Sequence, residues 1–157
     1  MTIPDSRFPI PGPIAFIGGG NMARSLVAGL RRQGLTADRI VVAEPQEALR
    51  LDLQAAFGVR VCAEGRDAVA GASVVVLAVK PQVMQAVCEG LRGALGDAVV
   101  VSVAAGLTCA RLSGWLGTPG VVRAMPNTPA LLGAGATGLF APPEVDAAGR
   151  ALAEAVL

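Results

Sequence analysis

A glycine-rich turn follows a short apolar run near the start of the chain, in the sequence IAFIGGGNMA from Ile14 to Ala23. The order is apolar run, Gly-x-Gly-x-x-Ala and then a helical pattern, which is typical of a dinucleotide-binding turn. Gly18 permits the tight turn, Gly20 carries no Cβ to obstruct a phosphate, and Ala23 lets the helix pack close to the strand. Free backbone N–H groups and the positive end of the helix dipole then face the anion. The alternative is an ordinary turn without a ligand.

Small or polar residues also follow four later apolar runs. Glu44 follows the first of these, and the others are followed by Ala78 to Pro81, Val103 to Gly106 and Arg123 to Pro129. In an open α/β sheet, ligands bind beyond the carboxyl ends of the strands. We therefore expect these segments to meet the glycine turn at one edge of a sheet.

Apolar, valine-rich runs alternate with helical patterns along the chain. They predict strands at 14–18, 39–44, 59–62, 74–79, 98–103 and 120–124, and helices at 21–33, 45–57, 66–70, 81–95, 108–116 and 142–157. Pro81 suits a first helical turn, and Thr108 suits an N-cap. Runs such as VVVLAV are typical of strands covered by helices on both faces. We predict an α/β fold of the Rossmann type, with a doubly wound, mostly parallel sheet and helices on both faces.

The composition indicates a globular protein, because 53% of the 157 residues are hydrophobic and only 16% are charged. We expect one domain over 14–157, preceded by an extended, proline-containing tail over 1–13. The net charge of +1 and the lack of a long basic run argue against nucleic acid or an anionic membrane surface as a partner. The tail has no apolar signal core, so a cytoplasmic location is expected.

Metal binding and disulfide formation are not expected. The chain has three cysteines, Cys62, Cys88 and Cys109, which are widely spaced, and it has no histidine. We predict that these cysteines are small buried hydrophobic residues.

Four motifs occur in order: GGGNMA at 18–23, AVKP at 78–81, SVAAG at 102–106 and RAMPNTPA at 123–130. Together they resemble the pyrroline-5-carboxylate reductase family, from about residue 14 to the end of the chain. The last motif is specific to that family, whereas the first is not. The resemblance implies an NADPH-dependent reduction of 1-pyrroline-5-carboxylate to L-proline, the final step of proline biosynthesis.

The resemblance also implies that this chain is only the cofactor-binding part. In the family, an all-helical second domain follows, builds the dimer and supplies most contacts to the substrate carboxylate. We expect that domain to be absent here. The resemblance therefore implies that the full-length protein is a homo-oligomer formed through that domain, and that this chain alone is inactive.

The residue types fit the reduction of an imine. The chain contains no histidine and no tyrosine, so it lacks a histidine general acid and a Ser/Tyr/Lys set for ketone reduction. A cyclic imine can be protonated before reaction and is then already an electrophile, so the protein has to supply position and a dry site. A fragment without its catalytic partner would look the same. Catalytic residues therefore stay unassigned.

The expected cofactor contacts fall into four groups. They are Ile17, Gly18, Gly19, Gly20, Asn21 and Met22 at the pyrophosphate, Glu44 at the adenosine ribose, Ala78, Val79, Lys80 and Pro81 at phosphate or ribose, and Val103, Ala104, Ala105 and Asn127 at the nicotinamide side. Three of these groups have plainer alternatives. They are a helix start without ligand for the first group, a surface lysine for the third, and, for the fourth, a packed strand end at Val103 to Ala105 and a rigid Pro-Asn-Thr-Pro turn around Asn127.

Glu44 departs from the family pattern. An acid at this position accepts hydrogen bonds from the ribose hydroxyls of NAD and repels the 2′-phosphate of NADP. The family more often has a small hydroxyl residue there. At a second position near the adenine ribose, where the family often has a polar residue, this chain has Gly65. Arg50 would compensate if it reached the site, but we place it a turn and a half into its helix. The resemblance implies NADP(H), and Glu44 predicts that NADH is used unusually well.

Two other functional classes remain open. A Rossmann dehydrogenase of the β-hydroxyacid or prephenate type would share the glycine turn and the sheet but not the MPNTP loop. A non-enzymatic nucleotide-sensing domain would need the glycine turn, but it would have no reason to keep the nicotinamide side open and small.

Overall fold

The computed structural model describes residues 10–126 and 137–157, which form one mostly parallel sheet between two layers of helices. The strands are β1 (Ile14–Ile17), β2 (Ile40–Ala43), β3 (Arg60–Cys62), β4 (Val74–Leu77), β5 (Val99–Ser102), β6 (Val121–Pro126) and β7 (Thr137–Phe140). The α-helices are α1 (Asn21–Arg32), α2 (Glu47–Phe57), α3 (Gly65–Val69), α4 (Pro81–Leu91), α5 (Cys109–Leu116) and α6 (Ala147–Val156).

The strands lie in the order β3-β2-β1-β4-β5-β6-β7. Strands β1 to β6 are parallel, and β7 runs antiparallel to β6. Ile14 in β1 is in register with Ile40 on one side and Val74 on the other, so the first strand lies in the middle of the sheet. The connections turn outward in opposite directions on either side of β1, and this reversal creates the crevice in which such sheets bind ligands. The predicted fold class is confirmed.

The alternation of side chains in β1 explains why both faces of the sheet are buried. Ile14 and Phe16 belong to a core cluster with residues of α1, α2 and α6, whereas Ala15 and Ile17 belong to a second cluster with residues of α3, α4 and α5. All four side chains are buried. A strand buried on both faces cannot alternate apolar and polar residues, which is why the run is continuously apolar.

The six predicted strands are confirmed within two residues at each end, and Thr108 and Pro81 take the predicted cap and first-turn positions. Two helices, α4 and α6, are shorter than predicted by more than two residues. Helix α4 ends at Leu91 instead of residue 95, because Gly93 and Gly96 adopt positive φ in the following turns. Helix α6 begins at Ala147 instead of 142, because the Asp146 carboxylate caps it by accepting from the Gly149 amide at 2.7 Å. The antiparallel strand β7 was not predicted.

Residues 10–13, part of the predicted tail, lie against the domain. Ile10 is buried in the core, and its carbonyl accepts a hydrogen bond from the Arg39 guanidinium. The Ser73 amide donates to the Pro13 carbonyl at 2.9 Å. Residues 1–9 lie outside the described residues, and for them the extended tail stays a prediction.

Two of the three cysteines are buried as predicted. Cys88 and Cys109 are buried and Cys62 is half-buried. Burial, together with the nearby Glu89 carboxylate, raises the pKa of the Cys88 thiol to about 11, so it is protonated at neutral pH. Over residues 10–126 and 137–157, no three metal-binding side chains gather, and no helix has the length and apolarity to cross a bilayer.

Helix α5 provides a direct test of the local structure. The Thr108 hydroxyl accepts a hydrogen bond from the Arg111 amide at 3.1 Å. We expect Thr108→Ala to lower the free energy of unfolding by about 1 kcal/mol, since it leaves that amide without its cap. Thr108→Ser retains the hydroxyl and should lose much less. Urea denaturation measures both values, and equal losses in the two variants would contradict the capping role.

Candidate cofactor-binding site

The glycine turn is held between β2 and β4 by backbone hydrogen bonds. The Gly18 amide donates to the Ala43 carbonyl at 2.9 Å, and the Ala78 amide donates to the Ile17 carbonyl at 2.8 Å. Gly18 has a φ of +101°, and a Cβ built there would lie 2.7 Å from the Ala78 carbonyl oxygen. Both the conformation and the close approach therefore require glycine.

Gly19 and Gly20 differ in their surroundings. A Cβ on Gly19 would lie 2.8 Å from the Leu53 Cδ1 and 3.1 Å from the Glu44 Cβ, so this residue is enclosed by neighbours. Gly20 is exposed, and a Cβ there would have no heavy atom within 4 Å. The two glycines therefore have different functions, one in packing and one in leaving space open outside the turn.

Helix α1 begins directly after this open space. Gly20 is its N-cap residue, and no side chain of the described residues caps the helix. The first turn contains no acidic residue, whereas the last turn contains Arg31 and Arg32. Asn21 is exposed and Met22 is half-buried. The free N–H groups and the helix dipole therefore make this end of α1 suitable for an anion.

Glu44 lies beside the glycine turn at the carboxyl end of β2. Its amide donates to the Cys62 carbonyl at 2.9 Å, which fixes its backbone against β3. The side chain is only 7% exposed, although among the described residues it accepts one long hydrogen bond, at Oε2 from the Gln46 amide at 3.4 Å. A buried carboxylate with this little hydrogen bonding has capacity for further donors.

Arg50 reaches the same place, which differs from the expectation that it is too far along its helix. Helix α2 begins at Glu47 and not at residue 45, so Arg50 lies in the first turn. Its Nη1 donates to the Glu44 carbonyl at 2.8 Å and to the Pro45 carbonyl at 2.9 Å. The error arose because the start of α2 was predicted two residues early and because a long side chain can fold back.

Residues Ala78 to Pro81 follow β4 on the other side of β1. Ala78 and Val79 are half-buried, and Lys80 is exposed as the N-cap residue of α4. Pro81 occupies the first turn of that helix, where its missing N–H costs nothing. The Lys80 ammonium is thus on the surface at the same sheet edge as the glycine turn.

Small residues follow β5. The Val103 amide donates to the Leu77 carbonyl at 3.2 Å, and the Ala104 amide donates to the Ser102 hydroxyl at 3.3 Å. Val103 and Ala104 are buried, whereas Ala105 is exposed. Because these side chains are small, no bulky group stands on the surface next to the end of β4.

The structure thus brings together the predicted residues at the ends of β1, β2, β4 and β5. Asn127 lies outside the described residues, so its place at the nicotinamide side stays a prediction. Gly65, which departs from the family pattern, begins α3, where a Cβ would lie 3.1 Å from the Leu91 Cδ2. Packing against α4 is therefore a sufficient reason for glycine at that position.

A separate cavity of about 500 Å³ lies between the start of α5 and the β6–β7 pair. Its lining includes Thr108, Cys109, Arg123, Phe140 and Glu144, and none of the predicted cofactor contacts. The N-terminus of α5 is capped by Thr108, in contrast to that of α1. The uncapped α1 therefore makes the carboxyl edge near β1 the better anion site.

Comparison with known proteins decides the family. A family model described as NADP oxidoreductase, coenzyme F420-dependent, matches residues 13–106, which is more than half of the chain. The chain belongs to this family. The matched residues contain β1 to β5 and all the cofactor contacts predicted above except Asn127.

Curated relatives and solved structures refine the likeness. A pyrroline-5-carboxylate reductase from Pseudomonas aeruginosa is 53% identical to this chain over 137 residues. The match covers 86% of this chain and 50% of the relative. The structure of a pyrroline-5-carboxylate reductase from Coxiella burnetii matches with a TM-score of 0.87 at 42% identity, over 92% of this chain and 55% of that one. That of a Plasmodium falciparum pyrroline carboxylate reductase with NADP bound matches at 0.79 and 19% identity, covering 95% and 56%, and shows likeness of fold. The chain spans about half the length of the curated relatives it matches.

The turn at Gly18 provides the test of this geometry. We expect Gly18→Ala to lower the free energy of unfolding by at least about 2 kcal/mol, because positive φ disfavours alanine and the methyl group meets the Ala78 carbonyl. Gly20→Ala is the matched comparison and should lower stability by no more than about 1 kcal/mol, since nothing lies near its Cβ and only the weaker N-cap preference of alanine acts. Equal effects in thermal and urea unfolding would contradict the arrangement.

Proposed function

We propose that this chain is the cofactor-binding part of an NADP(H)-dependent pyrroline-5-carboxylate reductase, which forms L-proline from 1-pyrroline-5-carboxylate. The observation that carries the proposal is the meeting of the glycine turn, Glu44 and the segments 78–81 and 103–105 around the uncapped α1. The reductases named above support it, since this chain is 53% identical to the one from Pseudomonas aeruginosa. Because the chain spans half of that relative, the activity belongs to the proposal.

In the proposed complex, the cofactor crosses the carboxyl edge of the sheet. Backbone N–H groups from Ile17 to Met22 hold the pyrophosphate, and the carboxylate of Glu44 accepts from the adenosine ribose hydroxyls. Lys80 lies where it can meet a phosphate or a ribose. The small side chains from Val103 to Ala105 leave room for the nicotinamide ribose. Asn127 contacts the nicotinamide side.

Reduction of a protonated imine requires the protein to place the nicotinamide close to the imine carbon more than it requires a general acid. The cofactor that Ile17 to Met22, Glu44 and Lys80 would hold would supply a hydride to the carbon of a protonated C=N bond. The chain has no histidine or tyrosine, and we assign it no catalytic acid or base. Its residues bind the cofactor, expose one end of it beside small side chains and exclude water where Val103 and Ala104 are buried.

The remaining parts of the proposal concern the whole protein. We infer a small-molecule substrate, a cytoplasmic location and a homo-oligomer formed through a helical second domain. On this view, the chain alone binds the cofactor but turns over no substrate.

Cofactor binding tests the first half of the proposal. We expect NADPH and NADH each to stabilise the chain, by about 2.7 kcal/mol at one hundred times Kd, because each binds only the folded state. Glu44 predicts that NADH binds no more than about tenfold more weakly than NADPH, a difference of about 1.4 kcal/mol. Thermal unfolding and titration calorimetry measure both.

Gly20→Ala is the control in that titration, because its methyl group occupies the space at the start of α1 without a clash in the free protein. It should remain folded, with at most a small loss of stability at the helix N-cap, and lose most of the stabilisation by either cofactor. A preference for NADPH of about a hundredfold would overturn the interpretation of Glu44. No stabilisation by either cofactor would overturn the cofactor site itself.

A chimaera tests the activity. Residues 10–157 replace the aligned half of the Pseudomonas aeruginosa relative, so that the rest of that enzyme is present. We expect oxidation of NADPH that depends on pyrroline-5-carboxylate and forms proline, while the chain alone gives none. The same chimaera with Gly20→Ala is the control and should lose at least about tenfold in kcat/KM, if one phosphate contact is lost. A folded chimaera that binds NADPH but forms no proline would count against this function.

A further inference from the structure

We propose that the cavity between α5 and the β6–β7 pair binds a small zwitterion with an apolar body, such as an apolar α-amino acid. Arg123 holds the carboxylate of this ligand, and Glu144 attracts its ammonium group. The lining of the cavity shares no residue with the predicted cofactor contacts, so the inference goes beyond the proposed function and does not depend on it.

The pairing of β6 with β7 places Arg123 at this cavity. Arg123 is in register with Phe140, and the next pair along the strands is Ala124 with Leu139. Ala124 and Leu139 pack in the core cluster that contains residues of α1 and α6. Cross-strand partners share a face of the sheet, and successive residues alternate between faces. Arg123 and Phe140 therefore lie on the opposite face, beside α5.

This face of β6 and β7 is open to solvent and largely apolar. Phe140 is 59% exposed, and Met125, which is two residues after Arg123 and so on the same face, is 51% exposed. The cavity of about 500 Å³ lies within the range of about 300–1,000 Å³ that is common for small-molecule sites. Its apolar wall consists of Phe140, Pro119, Pro142 and Pro143. The apolar body of a small ligand can pack against this wall.

Arg123 brings a positive charge whose hydrogen bonds are incomplete. Its side chain is half-buried, and its Nε is buried without a hydrogen-bond partner. Within residues 10–126 and 137–157, it forms no ion pair with a carboxylate. A buried donor without an acceptor costs free energy, which a fully hydrated surface arginine avoids. A carboxylate that enters the cavity would supply both the counter-charge and an acceptor for the guanidinium.

Glu144 adds the opposite charge to the same cavity. It is exposed, and no ion pair joins it to Arg123 in the described part of the chain. Both charges act on the Cys109 thiol. Burial raises the pKa of this thiol, the charge of Arg123 acts to lower it, and the charge of Glu144 acts to raise it. Two opposite charges thus lie near one point of the cavity but apart from each other, which suits a ligand that carries both.

The experiment compares three ligands that share one isobutyl group. L-leucine has both charges, L-leucinamide lacks the carboxylate, and isocaproate lacks the ammonium group. Each is titrated into the whole chain, and amide-resolved NMR follows the amides of Cys109, Arg123 and Phe140. We expect L-leucine to give saturable shifts at these amides, with a millimolar Kd. L-leucinamide should bind at least about tenfold more weakly, and isocaproate about twofold to fivefold more weakly, because Glu144 is exposed.

Two variants assign the two charges. Arg123→Leu should remove the preference for L-leucine over L-leucinamide, and Glu144→Gln should remove the preference over isocaproate. Arg111→Leu and Glu154→Gln are matched controls, because both residues are exposed and neither lines the cavity. They should change none of the three affinities. Glu144→Gln changes an exposed side chain, so it and the ligand comparison carry the test if Arg123→Leu does not fold.

Several results would overturn the proposal. If Arg123→Leu weakens all three ligands equally, Arg123 only shapes the cavity and does not recognise a carboxylate. If L-leucine and L-leucinamide bind equally to the wild type, the carboxylate is not recognised. If the wild type shows no saturable shift up to tens of millimolar, or shifts only at the glycine turn, the cavity is not the site. None of these results affects the cofactor site, which the titrations with NADPH and NADH test separately.

Discussion

The arrangement of the cofactor site depends on the two backbone hydrogen bonds that hold the glycine turn. The Gly18 amide is bonded to the end of β2, and the Ile17 carbonyl is bonded to the Ala78 amide after β4. They tie β1 to both neighbours at the point where the connections of the sheet reverse. The space for a ligand, the direction of α1 and the approach of Glu44 and Lys80 to one edge all depend on this closure.

The closure in turn requires complete burial of β1. Its four residues face alternately toward the two helical layers, and all four are buried. A polar side chain in this strand would need a buried partner on one face or the other. Strand β1 is therefore apolar along its whole length, and the groups that could bind a polar ligand begin only in the glycine turn after Ile17.

Much of this architecture could be predicted from the sequence, because strands covered on both faces leave continuous apolar runs. Strand β7 left no such signal, since its four residues, TGLF, include a glycine and only two large apolar side chains. Helix α6 was predicted too early because prolines suit a first helical turn, whereas the side chain of Asp146 decided its start. The cofactor contacts at four strand ends could be proposed from type and order. The approach of Arg50 could not, because it depends on a two-residue difference in the start of α2 and on one long rotamer.

The central place of β1 also has a consequence for how the chain folds. Ile14 must align with Val74, which is far away in sequence, before the strand is paired on both sides. Pairing between distant parallel strands closes a long loop and is intrinsically slow. The glycine turn acquires its final hydrogen bonds only when Ala78 has arrived. The glycine turn is therefore complete only once β4 has paired with β1, and the place for a dinucleotide forms together with the centre of the sheet.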